Sequence, residues 1–185
     1  QRNPVSDAFA EKAMAQIVRA LPRAVQNGKD RKARMVMANG SLLAGAAFSN
    51  SMVGLVHAIG HALGGVCHVA HGEAMTILLP AVMQYNLEKC KERYGELLLP
   101  LAGPEVYAAT PAELRAQKTI DTLVALRQQL ADLTGLPTTL SQTGRVKPEQ
   151  FDEVASTALN DGAIIVNPAE ANHEEIVGIL REVWA

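Results

Sequence analysis

The apolar residues of this chain recur at intervals of three and four along almost its whole length, and only one stretch, residues 163–166, reads as a strand. That spacing places one stripe of each segment on the core side of a helix, whereas a lone four-residue strand has no partner with which to build a sheet. The expected fold is therefore all-α, a helical bundle.

The segments are marked by their ends. After Asn3-Pro4, Ser6 and Asp7 are placed to cap a helix whose stripe is Phe9, Ala13, Met14, Ile17, Val18 and Leu21, stopping near Asn27-Gly28. Asp30 opens a second helix; its residues 35–48 carry no charge, so burial on most sides is expected. A third helix is expected over residues 53–63, ending at Gly64-Gly65. A fourth runs from His71-Gly72 towards Asn86 with a kink at Pro80, and residues 87–99 continue in helical period. Thr110, Pro111 and Glu113 have the pattern of an N-cap, a first-turn proline and a capping-box glutamate. They introduce a long helix with Ile120, Leu123, Leu126, Leu130 and Leu133 on one face, ending at Gly135. Two shorter helices follow, over residues 148–159 and 172–184, the second with Asn172 and Glu175 as its capping pair.

No linker-like stretch divides the 185 residues, so residues 1–185 are expected to form a single domain. The 17 basic and 19 acidic residues leave a net charge of -2 and no basic stripe, which argues against nucleic acid as a partner. The longest apolar run, residues 75–83, contains Pro80 and falls far short of the roughly 18 residues that span a bilayer, so no membrane partner is expected. Neither end carries a signal-peptide pattern, and Cys67 and Cys90 make no CxxC pair, which fits a cytoplasmic location. The chain begins with Gln1 and enters a helix within six residues; it reads as part of something longer.

Four of the five histidines fall between Val56 and Gly72. His57 and His61, four apart on a helix, project from one face about a turn from each other. His71 follows a glycine-containing loop at the start of the next helix, where its ring can turn back towards His57. Three imidazoles can thus converge on one site, with Gly60, Gly64 and Gly65 permitting close backbone approach. Taken singly, each histidine reads as an accommodated core or surface residue; their clustering favours a site. His68 forms an HxxH with His71 but sits in the loop, and it reads as solvated more readily than as a ligand. Glu73 is the one acidic residue nearby, and it faces away by helical phase if His71 points inward. No GxGxxG follows a strand, and neither Ser49 nor Ser51 has the setting of an activated nucleophile.

The run Gly54-Leu55-Val56-His57-Ala58-Ile59-Gly60-His61-Ala62-Leu63-Gly64-Gly65, followed by His71-Gly72 and Ile77-Leu78-Leu79-Pro80, resembles the signature of the iron-containing (group III) alcohol dehydrogenases. Asn3-Pro4-Val5-Ser6-Asp7-Ala8, Leu21-Pro22-Arg23-Ala24-Val25, residues 41–49, Asp161-Gly162 and Asn167-Pro168 also look like family positions, so the resemblance covers essentially the whole chain. It implies the C-terminal, all-helical half of a two-domain enzyme of the dehydroquinate synthase-like fold. The N-terminal α/β half, which binds the nicotinamide nucleotide, and an Asp-x-x-x-His that supplies two metal ligands are expected upstream of Asn3. Ala62 stands where the family commonly has proline.

By that resemblance His57 and His71 would be metal ligands, and His61 would lie beside the nicotinamide and substrate as catalytic and cofactor-binding residue, while Phe48 and Ala163 would approach the substrate pocket. The implied cofactors are a divalent metal, Fe2+ ahead of Zn2+, and NAD or NADP held mainly by the other half. The implied reaction is metal-assisted hydride transfer between a primary alcohol and an aldehyde; apolar cleft surface left open without the N-terminal half predicts a homo-oligomer, a dimer or higher. The rival readings are a catalytically inactive, self-associating helical fragment, and a maleylacetate reductase or glycerol dehydrogenase relative. The 185 residues alone are expected to be inactive.

Overall fold

Asn3, not Ser6 or Asp7, starts the first helix. Its Oδ1 accepts from the backbone N–H of Val5 and Ser6 at 3.1 and 2.9 Å, and Ser6 returns the bond to the Asn3 backbone as the inner half of a capping box. A computed structural model describes residues 2–185; Gln1 lies outside the described residues. Among them are eight α-helices: α1 Pro4–Gln26, α2 Arg31–Ser51, α3 Leu55–Cys67, α4 His71–Ala102, α5 Pro104–Ala109, α6 Arg115–Thr134, α7 Phe151–Leu159 and α8 His173–Glu182, with short 3-10 turns and no strand. No single helix is long and apolar enough to cross a membrane.

Several segments depart from the sequence expectations, each for a local reason. Residues 163–166, the strand expectation, lie in a 3-10 turn, Gly162–Val166, opened by an Asp161 side-chain cap. With no neighbouring strand, their backbone groups are satisfied locally. The Thr110 capping box does not form: Thr110 closes the unforeseen helix α5, its hydroxyl donating to Val106 O at 2.7 Å, and a 3-10 turn, Ala112–Leu114, separates it from α6. α3 runs past Gly64-Gly65 to Cys67, and α4 is continuous through Pro80.

The described residues gather into two compact units, one from the residues up to Met52 with Cys90–Gly135 and one from Val53–Lys89 with Leu136–Ala185; α4 contributes to both. In the first, α1 packs along α2 and α6. The buried positions of α2 are Ala33, Gly40 and Ala47, spaced at sevens, and a Cβ on Gly40 would stand 2.7 Å from Ile17 Cγ1, so the small residues permit the close approach. The rest of α2 is not buried on most sides, contrary to expectation: Leu42 is 73% exposed. Lack of charge does not create a packing partner, and only the side that meets α1 is covered.

The second unit holds the continuous core. Leu55, Ile59 and Leu63 of α3 are fully buried with Ile77, Leu78 and Val82 of α4, Val154 of α7 and Ile176 and Leu180 of α8. Each such aliphatic side chain contributes on the order of 1.5–3 kcal/mol relative to exposure. α8 begins as the sequence predicts, with Asn172 and Glu175 forming a capping box.

Candidate functional site

The helical period of α3 separates its two tasks. Positions 55, 58, 59, 62 and 63 are buried in the core of the second unit, which turns positions 57 and 61 to the opposite side. α3 then ends at His68, whose backbone is left-handed at φ 57°, with its N–H bonded to Gly64 O and that of Val69 to Leu63 O. Arg145 Nη1 donates to His68 O at 2.9 Å and fastens this turn. A left-handed non-glycine residue costs roughly 1–2 kcal/mol, and the reversal brings the chain back so that His71, the first residue of α4, meets the imidazole face of α3.

The three rings form a nearly equilateral triangle. Their centres are 5.7 Å apart for His57–His61, 5.6 Å for His57–His71 and 5.7 Å for His61–His71, the last pair stacked at 23°. His68 is exposed and makes no ring contact with them among the described residues. At Gly60 a Cβ would stand 1.8 Å from the terminal methyl of Met75, so that flexible side chain would have to move aside; Gly65 has open space around it and serves no close approach.

Asp161 completes the cluster and was not singled out as a site residue by sequence reasoning. Its Oδ2 lies 2.8 Å from His61 Nδ1, and its Oδ1 accepts the Ala163 N–H at 2.7 Å. Burial alone would raise its pKa, but the Ala163 N–H and the hydrogen bond and charge of His61 outweigh it and hold the carboxyl below its ordinary value. Burial pushes the His57 imidazole down, and the neighbouring His61 and His71 add to this against the opposing charge of Asp161. The only trace of Asp161 in the sequence was the Asp161-Gly162 pair, because a contact across 100 residues leaves no local spacing.

The remaining expected site residues are placed as follows. Ala163 is buried in the core of the second unit, and its backbone, not its side chain, serves the cluster through Asp161. Phe48 belongs to the first unit, near the C-terminal end of α2, and is 54% exposed. Glu73 makes no hydrogen bond or ion pair with the histidines among the described residues.

Two imidazoles that share one ion, each bound at about 2.0–2.1 Å through a nitrogen, put their ring centres roughly 5 Å apart. The 5.6 Å between His57 and His71 fits two members of a larger shell after small ring movements. Among the described residues no three His, Cys, Asp or Glu side chains stand ready to hold a metal ion by themselves. A lowered imidazole pKa favours the unprotonated form that metal ligation requires.

Comparison with known proteins gives a consistent result. The profile of the Fe-containing alcohol dehydrogenase family, C-terminal, matches residues 1–184. The 1,3-propanediol dehydrogenase of Klebsiella pneumoniae is 38% identical over 182 residues, covering 98% of this chain and 45% of that protein. The NAD-dependent methanol dehydrogenase of Bacillus methanolicus is 36% identical over 178 residues, 96% of this chain and 45% of its own length. A crystal structure of 1,3-propanediol oxidoreductase superposes with a TM-score of 0.91 at 37% identity, over 98% of this chain and 46% of that one. The chain thus spans a little under half the length of these relatives.

Proposed function

This chain belongs to the Fe-containing alcohol dehydrogenase family, matching its C-terminal part, and from that membership we propose that it is the metal-binding helical half of an NAD(P)-dependent enzyme interconverting a primary alcohol and an aldehyde. The observation that carries the reading is the triangle of His57, His61 and His71, built on the solvent side of a helix whose other side is core.

His57 and His71 would hold a divalent metal, Fe2+ or Zn2+, with the remaining donors assigned to the Asp-x-x-x-His segment of the family. A metal held there would supply polarisation of the alcohol oxygen, and NAD or NADP, carried mainly by the family's N-terminal half, would supply the hydride acceptor. His61 accepts the hydroxyl proton and releases it to water; its side chain, 45% exposed, reaches solvent. In balance, alcohol and NAD(P)+ would give aldehyde, NAD(P)H and a proton. By the family pattern the segment around Ala163 would approach the substrate pocket. A homo-oligomer in the cytoplasm completes the proposal.

The test is His61→Ala in an active enzyme that contains these residues. Turnover is expected to fall by roughly 10²–10⁴ with metal content retained; unchanged turnover removes His61 from the chemistry. The partial donor set favours one secondary reading, that the 185 residues alone form a stable but inactive unit. Metal analysis of the purified chain decides it, since stoichiometric metal would require donors beyond His57 and His71.

A further inference from the structure

We infer that Asp161 is the positioning residue for His61: it grips the ring at Nδ1, so that Nε2 is the nitrogen presented to the reacting hydroxyl. The assignment rests on the proposed role of His61 and deepens it.

An ionised carboxylate only accepts hydrogen bonds, so a ring nitrogen 2.8 Å from Asp161 Oδ2 carries the proton. A neutral His61 is thereby fixed as the Nδ1–H tautomer, leaving the lone pair on Nε2. This is the arrangement a proton acceptor needs, and the ring cannot flip without breaking the bond.

The carboxylate is itself held before it meets the histidine. Asp161 follows α7 by two residues, and its N–H bonds to Ala158 O at 3.1 Å. Its Oδ1 is engaged by the Ala163 N–H at 2.7 Å, and the Ala163 side chain is buried. α7 packs directly on α3, and its Val154, Ala155 and Ala158 are fully buried in the core that also holds Leu55, Ile59 and Leu63, so the helix that carries His61 and the helix that ends beside Asp161 share one core. Both carboxylate oxygens are committed, one to the backbone and one to the ring. The group has no rotational freedom to spend elsewhere.

His57 and His71 differ. Neither ring has a hydrogen bond or ion pair among the described residues, so only His61 of the three has its tautomer set by this chain. A carboxylate behind an imidazole also supports metal-ligating histidines, and that is the rival assignment for the pair. It predicts that loss of Asp161 lowers metal content, whereas positioning for proton transfer predicts that metal content stays.

The experiment compares Asp161→Asn, which is isosteric, Asp161→Ala, Asp161→Glu, His61→Ala and the Asp161→Ala/His61→Ala double variant in an active enzyme containing these residues. It is paired with nitrogen NMR of the His61 ring in the histidine-labelled 185-residue chain. The expected result is a kcat loss of roughly 10²–10⁴ for Asn and Ala, with KM for the alcohol and bound metal unchanged and part of kcat recovered by Glu. The double variant should be no slower than His61→Ala, as for two residues acting as one unit. The ring proton should sit on Nδ1 in the parent chain and move towards Nε2 in Asp161→Ala.

Metal loss parallel to kcat, additive losses in the double variant, or a tautomer that ignores Asp161→Ala each overturns the assignment. An enzyme slowed by His61→Ala but not by Asp161→Ala overturns the Asp161 assignment alone. One whose kcat survives His61→Ala overturns the proposed function with it.

Discussion

Asn86 and Asn167 face each other amide to amide: Asn167 Nδ2 donates to Asn86 Oδ1 at 2.8 Å, and Asn86 Nδ2 donates to Asn167 Oδ1 at 3.1 Å. The same Asn167 oxygen accepts the Leu55 N–H at 3.1 Å, and its Nδ2 also donates to Ala169 O at 2.7 Å. One side chain thus ties the first turn of α3, which carries His57, to α4 and to the segment after Asp161. Gly54 is part of this fit, because a Cβ there would stand 2.9 Å from Asn167 Oδ1.

Asn167→Ala strands the amide of Asn86, which is 5% exposed, and the Leu55 N–H. Leaving a buried polar group unpaired costs about 1–3 kcal/mol, and the expected loss here is roughly 2–4 kcal/mol. Chemical denaturation of the variant against the parent chain measures it; a change near zero would mean that water replaces the amide freely.

The Asp161 carboxyl links stability to acid pH. Its folded pKa lies below the ordinary 3.8, so its contribution is fully present above about 3.8 and is lost as pH falls through the folded value. Asp161→Asn should therefore flatten the acid limb of the denaturation-midpoint profile below pH ~4 and leave the shape above it unchanged. A parallel profile in the variant would show that the group makes no such contribution.

His57→Ala and His71→Ala should each weaken metal retention by on the order of tenfold or more, the scale already reached by outer-shell changes. His61→Ala should not. Metal content after equilibrium dialysis against Zn2+ or Fe2+ distinguishes the three, and equal losses at all three would make His61 a ligand.

Met35 and Leu42 lie two turns apart on α2, 63% and 73% exposed, and a self-associating chain is expected to cover this apolar pair. Sedimentation equilibrium should find a dimer or larger species, and Met35→Lys with Leu42→Lys should shift it towards monomer. A monodisperse monomer in the parent chain counts against the prediction.

Gly135 closes α6 in the left-handed region at φ 73° with open space around it. Gly135→Ala meets no atom, so its cost is conformational alone, about 1 kcal/mol. Thermal melting should show that loss for Ala and a smaller one for Gly135→Asn.

The residues that repeat at helical spacing were readable as helices, because burying a stripe is a local constraint that periodicity records. Asp30, Asn172 with Glu175, and Gly135 mark helix ends that formed where their chemistry says they should. The Thr110 motif failed because the preceding residues Pro104–Ala109 form a helix that claims Thr110 for its own end, a competition invisible in the motif itself.

The sequence by itself determined an all-helical chain and placed His57 and His61 on one helix face, since both follow from spacing of three and four. It also marked His71 as able to return towards them. Only the tertiary structure decided that the three rings stand 5.6–5.7 Å apart, that α2 leaves its apolar side open, and that Asp161 stands behind His61. Those outcomes depend on which buried faces meet, here α3 against α7, and packing between elements distant in the chain is recorded in no local pattern.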